Sequence, residues 1–269
     1  MKAAKKYMFE KIILNNRLSD YKKYINYARD KGYSIRTMKD FYHLEDKNSE
    51  KNLILRHDVD FKGISTRNMF EAEKELKVKS TYYFRFSTID VLLIHEMLEN
   101  EFEVGLHFET IADYIRETGC RRKDEIDIDA MRIRLSNDIK KFEEIIGSKI
   151  SSCCSHGAEE NIKLGISNNV LTEKQDMKMF SVDFEAYDYK MYSKYIDCHI
   201  MDANILYNCG FSYKDTPISA VDEGKKNIIF LSHPNHWDES LIQRGKELIN
   251  WSLGRVQYGS ERKFVRIAN

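Results

Sequence analysis

Proline and glycine are scarce in this sequence, which has 2 Pro and 12 Gly among its 269 residues. No stretch rich in proline, glycine or serine divides the chain, and no repeat of solenoid length is present. Cysteine is also sparse, and the 5 Cys are an odd number without repeated CxxC spacing. This excludes a disulfide framework and fits a reducing compartment. The absences together predict one main folded unit without a flexible linker.

An excess of charge of either sign is also missing. The 43 basic and 43 acidic residues cancel, which argues against a nucleic-acid partner, since such proteins carry a basic excess or stripe. The longest apolar runs are far too short to span a membrane. The segment from Met1 to Asn16 is charged throughout and lacks the apolar core of a signal peptide. We therefore expect a cytoplasmic protein without a membrane span and without a nucleic-acid partner.

What the sequence does contain is an alternation of helical and strand patterns. Residues 1–50 show helical spacing, and we expect them to form a helical extension packed on a main domain of residues 51–269. The main domain has apolar strand patterns at Asn52–Leu55, Ser80–Phe86, Phe102–Phe108, Lys149–Ser155 and Asn227–Ser232. Helical patterns lie between or after them, at Ser65–Lys77, Ile89–Asn100, Ile126–Ile146 and Asp238–Trp251. This order predicts a parallel α/β sheet, either open or closed into a barrel.

The most polar strand end is His57-Asp58-Val59-Asp60, which directly follows an apolar run. Folds of the α/β class build their active sites at the carboxyl ends of parallel strands. Two carboxylates and an imidazole at such an end suit a divalent metal and leave one carboxylate as a base. Asp58 and Asp60 are two residues apart, so both should point the same way from an extended strand. The alternative is an ordinary turn, in which Asp is common.

Three further predicted strands also end in histidine. Their ends are Gly105-Leu106-His107-Phe108-Glu109, Ser155-His156-Gly157 and Ser232-His233-Pro234-Asn235-His236. Because parallel strands place their carboxyl ends on one face of a domain, these side chains should converge. Burying several ionisable groups without partners is costly. The pattern therefore predicts a metal site or a catalytic network, and imidazole with carboxylate suits zinc or a similar metal.

These strand ends resemble the motifs of polysaccharide deacetylases, the family that includes chitooligosaccharide and peptidoglycan deacetylases. The likeness covers roughly Leu53 to Trp251 and is nearer to a divergent branch found among bacterial surface-glycan biosynthesis proteins. The resemblance implies a distorted (β/α) barrel. It also implies a carbohydrate substrate and a metal-dependent enzyme, usually with zinc, that hydrolyses N- or O-acetyl groups on sugars.

The resemblance also implies the acid–base pair. Asp58 would be the general base and Asp60 a metal ligand, or the reverse, because Val59 separates two carboxylates that are adjacent in the common form of the motif. His233, in Leu231-Ser232-His233, would be the general acid. The arginine-containing motif of the family is not recognisable here.

The remaining metal ligands follow from the same resemblance. His107 would be one imidazole ligand, but the position of the family's second histidine holds no His in this sequence. Glu109 or His156 would supply the missing ligand, and the predicted set is Asp60, His107 and His156 around a divalent metal, expected to be zinc.

Three residues near the strand ends are candidates for substrate binding. Arg56 and Arg85 would bind a phosphate or carboxylate of the substrate, or else pair with a neighbouring Asp or Glu. Trp237 would stack on a sugar ring, or else lie in the core at the start of the next helix. A cytoplasmic location favours a sugar nucleotide, a lipid-linked glycan or an oligosaccharide as substrate.

Two alternatives to a deacetylase stay open from the residues alone. One is a metal hydrolase of another amide or ester bond, because the histidine and aspartate set does not define the bond that is cleaved. The other is a non-catalytic glycan-binding or scaffold protein on a deacetylase fold.

Overall fold

The computed structural model describes residues 17–202 and 216–238. The described strands are β1 (Tyr33–Arg36), β2 (Lys51–Val59), β3 (Thr81–Phe84), β4 (Glu103–Phe108), β5 (Ser152–Ser155), β6 (Phe184–Glu185), β7 (Cys198–Met201) and β8 (Asn227–Ser232). The described α-helices are Arg17–Asp30, Met38–Tyr42, Ile64–Leu76, Val91–Glu99, Thr110–Thr118, Ile128–Ile146, Glu159–Leu164, Tyr189–Tyr195, Pro217–Asp222 and Pro234–Trp237. None of these helices is both long and apolar enough to cross a membrane.

The strands form a single parallel sheet whose order is that of an incomplete barrel. Along the sheet the order is β6-β5-β4-β3-β2-β8-β7, and β1 pairs with β2 beside this path. Neighbours in the sheet are also successive strands of the chain except at one place, where β8 pairs with β2. Within the described residues, β6 and β7 are not paired. The predicted distorted (β/α) barrel is confirmed, with its gap between β6 and β7.

The amino-terminal segment differs from the predicted helical extension. Arg17–Asp30 is a helix as expected and buries Tyr21, Ile25 and Ala28. Tyr33–Arg36, however, is a strand that pairs with the first half of β2, from Lys51 to Ile54. The hydrogen bonds of this strand come from β2, and local periodicity does not show such a partner. A domain boundary at residue 50 stays a prediction, although the sheet continues across it.

Two hydrophobic clusters lie on opposite sides of the sheet. The larger cluster packs the helices against the outer face and includes Leu55 and Val59. The smaller cluster lies on the other face of the sheet, inside the barrel, and includes Ile54, Tyr83 and Ile229. Since side chains alternate along a strand, the even-numbered positions of β2, including Asp58, point into the barrel.

The alternation also corrects the expectation that His57 joins Asp58 at a metal. His57 points to the outer face, where its Nε2 lies 2.8 Å from Glu73 Oε1 and 3.3 Å from the Tyr21 hydroxyl. Both His57 and Glu73 are fully buried. His57 therefore belongs to a hydrogen-bond network beneath the helices and does not face the strand-end carboxylates.

Several predicted elements agree with the structure, two observed helices were not predicted, and one predicted helix lies outside the described residues. The strand at Asn227–Ser232 has the predicted bounds, and the long helix ends at Ile146 with Gly147 as its left-handed cap. The helices Thr110–Thr118 and Pro217–Asp222 were not predicted. The helix expected from Asp238 to Trp251 lies outside the described residues except for Asp238.

Candidate metal centre and active site

Three side chains from different strand ends meet at the carboxyl end of the barrel. Asp60 follows β2, His107 is on β4 and His156 follows β5. Asp60 Oδ1 lies 3.5 Å from His107 Nε2 and 3.4 Å from His156 Nε2. One possible ligand atom from each of the three residues lies within 4.8 Å of the other two. The structure thus brings together the three predicted ligands, and their role as ligands stays a prediction.

The two imidazoles are held so that both Nε2 atoms face Asp60. His107 Nδ1 lies 3.1 Å from the carbonyl oxygen of Cys154, and His156 Nδ1 lies 3.1 Å from Glu109 Oε1. Because these partners accept hydrogen bonds, each Nδ1 carries the proton and each Nε2 presents a lone pair. Burial lowers the pKa of His107 to about 4, despite the nearby carboxylate of Asp58. This imidazole is therefore neutral, as a metal ligand must be.

The donor set fits a divalent metal. Asp60 Oδ1 is buried and has no hydrogen-bond partner among the described residues, and the two Nε2 lone pairs that face it cannot donate to it. A cation between these three acceptors would satisfy them. Ligand atoms about 2.0–2.2 Å from a tetrahedral zinc lie about 3.3–3.6 Å from each other. The two measured separations, 3.4 and 3.5 Å, fall within that range.

Glu109, the other candidate for the missing ligand, has a different place. Its carboxylate is 2.7 Å from Arg85 Nε, 3.1 Å from His156 Nδ1 and 3.2 Å from Arg116 Nη2. Burial would raise the pKa of Glu109, but His156 and Arg85 outweigh it and hold the pKa well below its usual range. Glu109 therefore orients His156, which is the residue that faces Asp60.

Asp58 lies beside the three candidate ligands, and Arg56 holds it. Arg56 donates two hydrogen bonds to the carboxylate, at 2.9 Å from Nε and 2.8 Å from Nη2. Asp58 Oδ2 also lies 3.5 Å from His107 Nε2, so Asp58 and Asp60 point the same way. Burial would raise the pKa of Asp58, but the charge and the hydrogen bonds of Arg56 outweigh it and keep the pKa well below its usual range. The carboxylate is ionised and its orientation is set.

His233 approaches Asp60 from the side of β8. Its Nε2 lies 3.7 Å from Asp60 Oδ2, and its Nδ1 lies 2.9 Å from Asp202 Oδ1. Burial lowers the pKa of His233, but the Asp202 carboxylate outweighs this effect and raises the pKa to about 10. His233 is therefore a protonated imidazolium at neutral pH, with one N–H directed towards the candidate metal centre.

The sequence interpretation missed Asp202. Its carboxylate accepts hydrogen bonds from the His233 backbone and ring, from His236 Nδ1 at 3.2 Å and from Trp237 Nε1 at 3.1 Å. Asp202 directly follows β7, just as Asp60 directly follows β2, so both lie at the carboxyl end of a parallel strand. That strand is four residues long and lies in a tyrosine-rich stretch with no clear period, which is why its end was not recognised.

Two other groupings also contain metal-ligating atom types. They are Asp58 with His107 and Cys154, and Asp202 with His233 and His236. In the first, Arg56 already pairs with Asp58 and its Nη2 donates to Cys154 Sγ at 2.8 Å. In the second, both ring Nδ1 atoms are engaged by the Asp202 carboxylate. Neither grouping has the converging lone pairs of the Asp60 set.

The three predicted substrate-binding residues all contact other side chains of the protein. Arg56 is 0% exposed and pairs with Asp58, and Arg85 pairs with Glu109 and donates to the Asp60 carbonyl at 3.1 Å. Trp237 is 1% exposed and packs against Tyr21, 5.5 Å between ring centroids. The structure favours the alternatives, in which the arginines form ion pairs and the tryptophan belongs to the core.

Comparison with known proteins gives distant structural neighbours only. No protein-family model and no curated protein matches the sequence. The chain is similar in structure to a CE4 family pseudoenzyme from Bacillus anthracis, with 14% identity and a TM-score of 0.42 over 75% of this chain and 62% of that chain. It is also similar to a peptidoglycan deacetylase from Bacillus subtilis, with 13% identity and a TM-score of 0.37 over 78% of this chain and 98% of that chain.

A third neighbour is the catalytic domain of a peptidoglycan N-acetylglucosamine deacetylase from Eubacterium rectale, with 12% identity and a TM-score of 0.42 over 77% of this chain and 86% of that chain. The chain spans less than two thirds of the length of the pseudoenzyme. These neighbours are CE4 family proteins, the deacetylase class whose motifs the strand ends resemble. They are too distant for any activity to be transferred from them, so the chemistry rests on the side chains of this chain.

Proposed function

We propose that this chain is a metal-dependent hydrolase that removes acetyl groups from a carbohydrate. The observation that supports the proposal most directly is the convergence of Asp60 Oδ1 with the Nε2 atoms of His107 and His156, at 3.5 and 3.4 Å. Asp58 and His233 flank this point, each held by a buried partner of opposite charge. A metal centre with one base and one acid beside it is the arrangement that hydrolysis of an amide or ester requires.

Asp60, His107 and His156 would hold the metal, and two imidazoles with one carboxylate favour zinc. A bound divalent ion in such a site polarises a carbonyl oxygen and makes a water molecule more acidic. The three described residues would supply three ligands, and a metal held by three protein ligands can also bind water or a substrate oxygen. Such a set of three would fit a catalytic site, since structural zinc sites have four protein ligands.

Asp58 would accept the proton of the attacking water. Arg56 fixes both carboxylate oxygens through one hydrogen bond each, and every carboxylate oxygen has a second lone pair for a further donor. Arg56 is therefore a positioning residue for Asp58. The buried ion pair keeps the carboxylate ionised and aimed at the end of the barrel.

His233 would donate a proton to the leaving group. Its Nδ1–H is held by Asp202, and its Nε2 faces Asp60. The charge of Asp202 stabilises the imidazolium before the reaction begins. In a deacetylation, the departing sugar nitrogen needs a proton at the moment when its bond to the acetyl carbon breaks.

The proposed substrate is an N-acetylated sugar of a glycan or a glycan precursor. Sugar nucleotides, lipid-linked precursors and oligosaccharides are the candidate substrates that carry such a sugar.

Metal content and acetate release test the proposal directly. Protein purified without chelator should bind about one equivalent of zinc and release acetate from N-acetylated sugars. Asp60→Asn and His156→Gln should lose the metal and at least about 100-fold in rate. His43→Gln is the matched control, because His43 is at the surface and pairs with Asp183. A folded protein that takes up no zinc would contradict the metal site and favour a non-catalytic glycan-binding role.

Asp58→Asn separates the base from the ligands. The variant should keep its zinc and lose about 10²–10⁴-fold in acetate release, the usual contribution of a general base. Zinc analysis and thermal unfolding of the same sample show that the site and the fold are intact. Undiminished turnover in zinc-loaded Asp58→Asn would show that Asp58 is not the base.

A further inference from the structure

We propose that Arg85 is a positioning residue that connects two of the candidate metal ligands, Asp60 and His156, and thereby sets how tightly the centre binds its metal. This inference rests on the proposed function, because it concerns the same metal centre. It goes further by assigning a measurable part of the zinc affinity to a residue that is not itself a candidate ligand.

The place of Arg85 in the sheet allows it to reach the strand on either side. Arg85 directly follows β3, which lies between β2 and β4. Asp60 follows β2, and Glu109 follows β4. Because neighbouring strands are about 4.7–4.9 Å apart, a long side chain at the end of the middle strand can contact the ends of both outer strands. Arg85 can therefore form a bridge across the carboxyl end of the barrel.

The side chain of Arg85 makes a hydrogen bond on each side. Its Nε donates to Glu109 Oε2 at 2.7 Å, and its Nη1 donates to the Asp60 carbonyl oxygen at 3.1 Å. The other oxygen of Glu109, Oε1, lies 3.1 Å from His156 Nδ1. One guanidinium thus contacts the main chain of Asp60 and the carboxylate that orients His156. Arginine suits this role because its N–H donors are fixed in one plane.

The main chain of Arg85 is also connected to the end of β2. The Arg85 N–H donates to Thr88 Oγ1 at 3.0 Å, and the Thr88 hydroxyl donates to the Val59 carbonyl at 2.9 Å. Thr88 is 3% exposed, so water competes little for these hydrogen bonds. The main chain and the side chain of Arg85 therefore both bind to β2 or to the residue that follows it, at the adjacent carbonyl groups of Val59 and Asp60.

Burial and charge hold Glu109 in this bridge. The side chains of Arg85 and Glu109 are 21% and 8% exposed, and salt screens a partly buried ion pair only weakly. Arg116 Nη2 lies 3.2 Å from Glu109 Oε1, but the Arg116 side chain is more exposed, at 37%. Without Arg85, the Glu109 carboxylate would keep only this second cation. The orientation of His156 would then be less well defined.

Zinc affinity tests the bridge without any need for turnover. Partners that orient metal ligands usually contribute about 10- to 100-fold to metal affinity. Arg85→Met removes both side-chain hydrogen bonds, so the zinc affinity of the full chain should fall by about that factor. Competition with a chromogenic chelator measures it. Arg85→Lys keeps the positive charge but has one nitrogen in place of Nε and Nη1, so it should recover only part of the affinity.

Arg134→Met is the matched control. Arg134 also donates two hydrogen bonds to one carboxylate, both at 2.7 Å to Glu117, and its side chain is 28% exposed. Within the described residues this pair makes no hydrogen bond to a candidate ligand, so the control should bind zinc like the wild type. Thermal unfolding of the metal-free samples shows that the variants are folded. Equal zinc affinity in Arg85→Met and Arg134→Met would overturn the proposal.

Glu109→Gln tests the same connection from the other side, and it applies even if Arg85→Met does not fold. The glutamine keeps the size of the side chain and loses the ion pair, so zinc binding should weaken. The double variant Arg85→Met/Glu109→Gln should lose less affinity than the product of the two single losses, because both changes break one connection. Unchanged affinity in Glu109→Gln, or single losses that simply multiply, would also overturn the proposal.

Failure of the bridge and failure of the proposed function give different results. A wild-type protein that binds zinc and releases acetate, with an Arg85→Met variant of equal zinc affinity, has the proposed activity without the bridge. A protein whose zinc affinity falls in Arg85→Met but which releases no acetate has the bridge without the activity. A folded wild-type protein that takes up no zinc contradicts both.

Discussion

At the scale of single residues, burial decides what each polar side chain does. Arg56 and Asp58 are both buried and form a bidentate pair, and the guanidinium carbon lies 4.1 Å from the centre of the Tyr187 ring. Arg85 and Glu109 form a second pair around His156. A buried charge needs a partner of opposite sign. Arg56 and Arg85 therefore hold the Asp58 and Glu109 carboxylates in place through these ion pairs.

His199 is a half-buried titratable residue outside the candidate metal centre, and it predicts acid sensitivity. It lies on β7 beside Tyr192, 5.5 Å between ring centroids, and its Nε2 is buried without a partner among the described residues. Burial, followed by the positive charge of Arg56, lowers the pKa of His199 to about 3. The folded protein keeps this ring neutral, whereas the unfolded chain binds a proton below about pH 6.5. Stability should therefore fall as pH drops from about 6.5 towards 3.

The substitution His199→Gln tests this dependence. A neutral side chain removes the proton uptake of the unfolded state, so the variant should lose less stability between pH 7.5 and pH 5 than the wild type. We expect the difference in the fall of Tm to be about 2–4 °C. His43→Gln at the surface should keep the wild-type dependence. Parallel curves for wild type and His199→Gln would show that this ring does not carry the effect.

At the scale of an element, β4 is packed so closely that its centre admits only glycine. A Cβ atom on Gly105 would lie 2.6 Å from the Ser152 carbonyl oxygen and 2.6 Å from the Tyr83 ring. The carbonyl belongs to the backbone of β5 and cannot rotate away. His107 is two residues further along β4, so the close approach of β4 and β5 also sets the position of a candidate metal ligand.

Gly105→Ala should therefore lower the free energy of unfolding by about 1–3 kcal/mol, the usual result of overpacking. It should also weaken zinc binding by moving His107. Gly157→Ala is the matched control beside His156, because a Cβ there meets no atom within 4 Å. Urea unfolding with zinc analysis measures both effects. Equal stability of the two alanine variants would contradict the packing argument.

At the scale of the whole molecule, the amino-terminal segment is part of the barrel. Its strand β1 pairs with β2, and the Tyr21 hydroxyl donates to the buried Glu73 carboxylate at 2.5 Å. Tyr21 also stacks on Phe230 of β8, with ring centroids 5.7 Å apart. Removal of this segment would take away the strand that pairs with β2, and it would remove the hydrogen bond that Tyr21 donates to Glu73.

A fragment of residues 51–269 should therefore fail to fold cooperatively. Circular dichroism and thermal unfolding of the fragment and the full chain make the comparison. Tyr21→Phe is a milder form of the same test, and loss of this single hydrogen bond should cost about 1–3 kcal/mol. A fragment that melts cooperatively at the full-chain Tm would establish residue 50 as a domain boundary.

Much of the fold follows from local patterns. The strands Glu103–Phe108 and Asn227–Ser232 and the long helix ending at Ile146 were all predicted near their observed bounds, because their apolar periods and end signals lie within the elements themselves. Strand β1 and Asp202 were not predicted. A four-residue strand has too few residues to show a period, and its hydrogen bonds come from a neighbour that is distant in sequence.

The sequence by itself determined that charged and imidazole side chains stand at the ends of parallel strands, since an apolar run and the polar residue after it are adjacent in the chain. It thereby indicated that Asp58, Asp60, His107, His156 and His233 gather at one end of the barrel, although it did not indicate Asp202. Only the tertiary structure decided their partners: Arg56 for Asp58, Glu109 for His156 and Asp202 for His233. Those pairings depend on burial and on distances between strands that are far apart in sequence, and both arise only when the barrel packs.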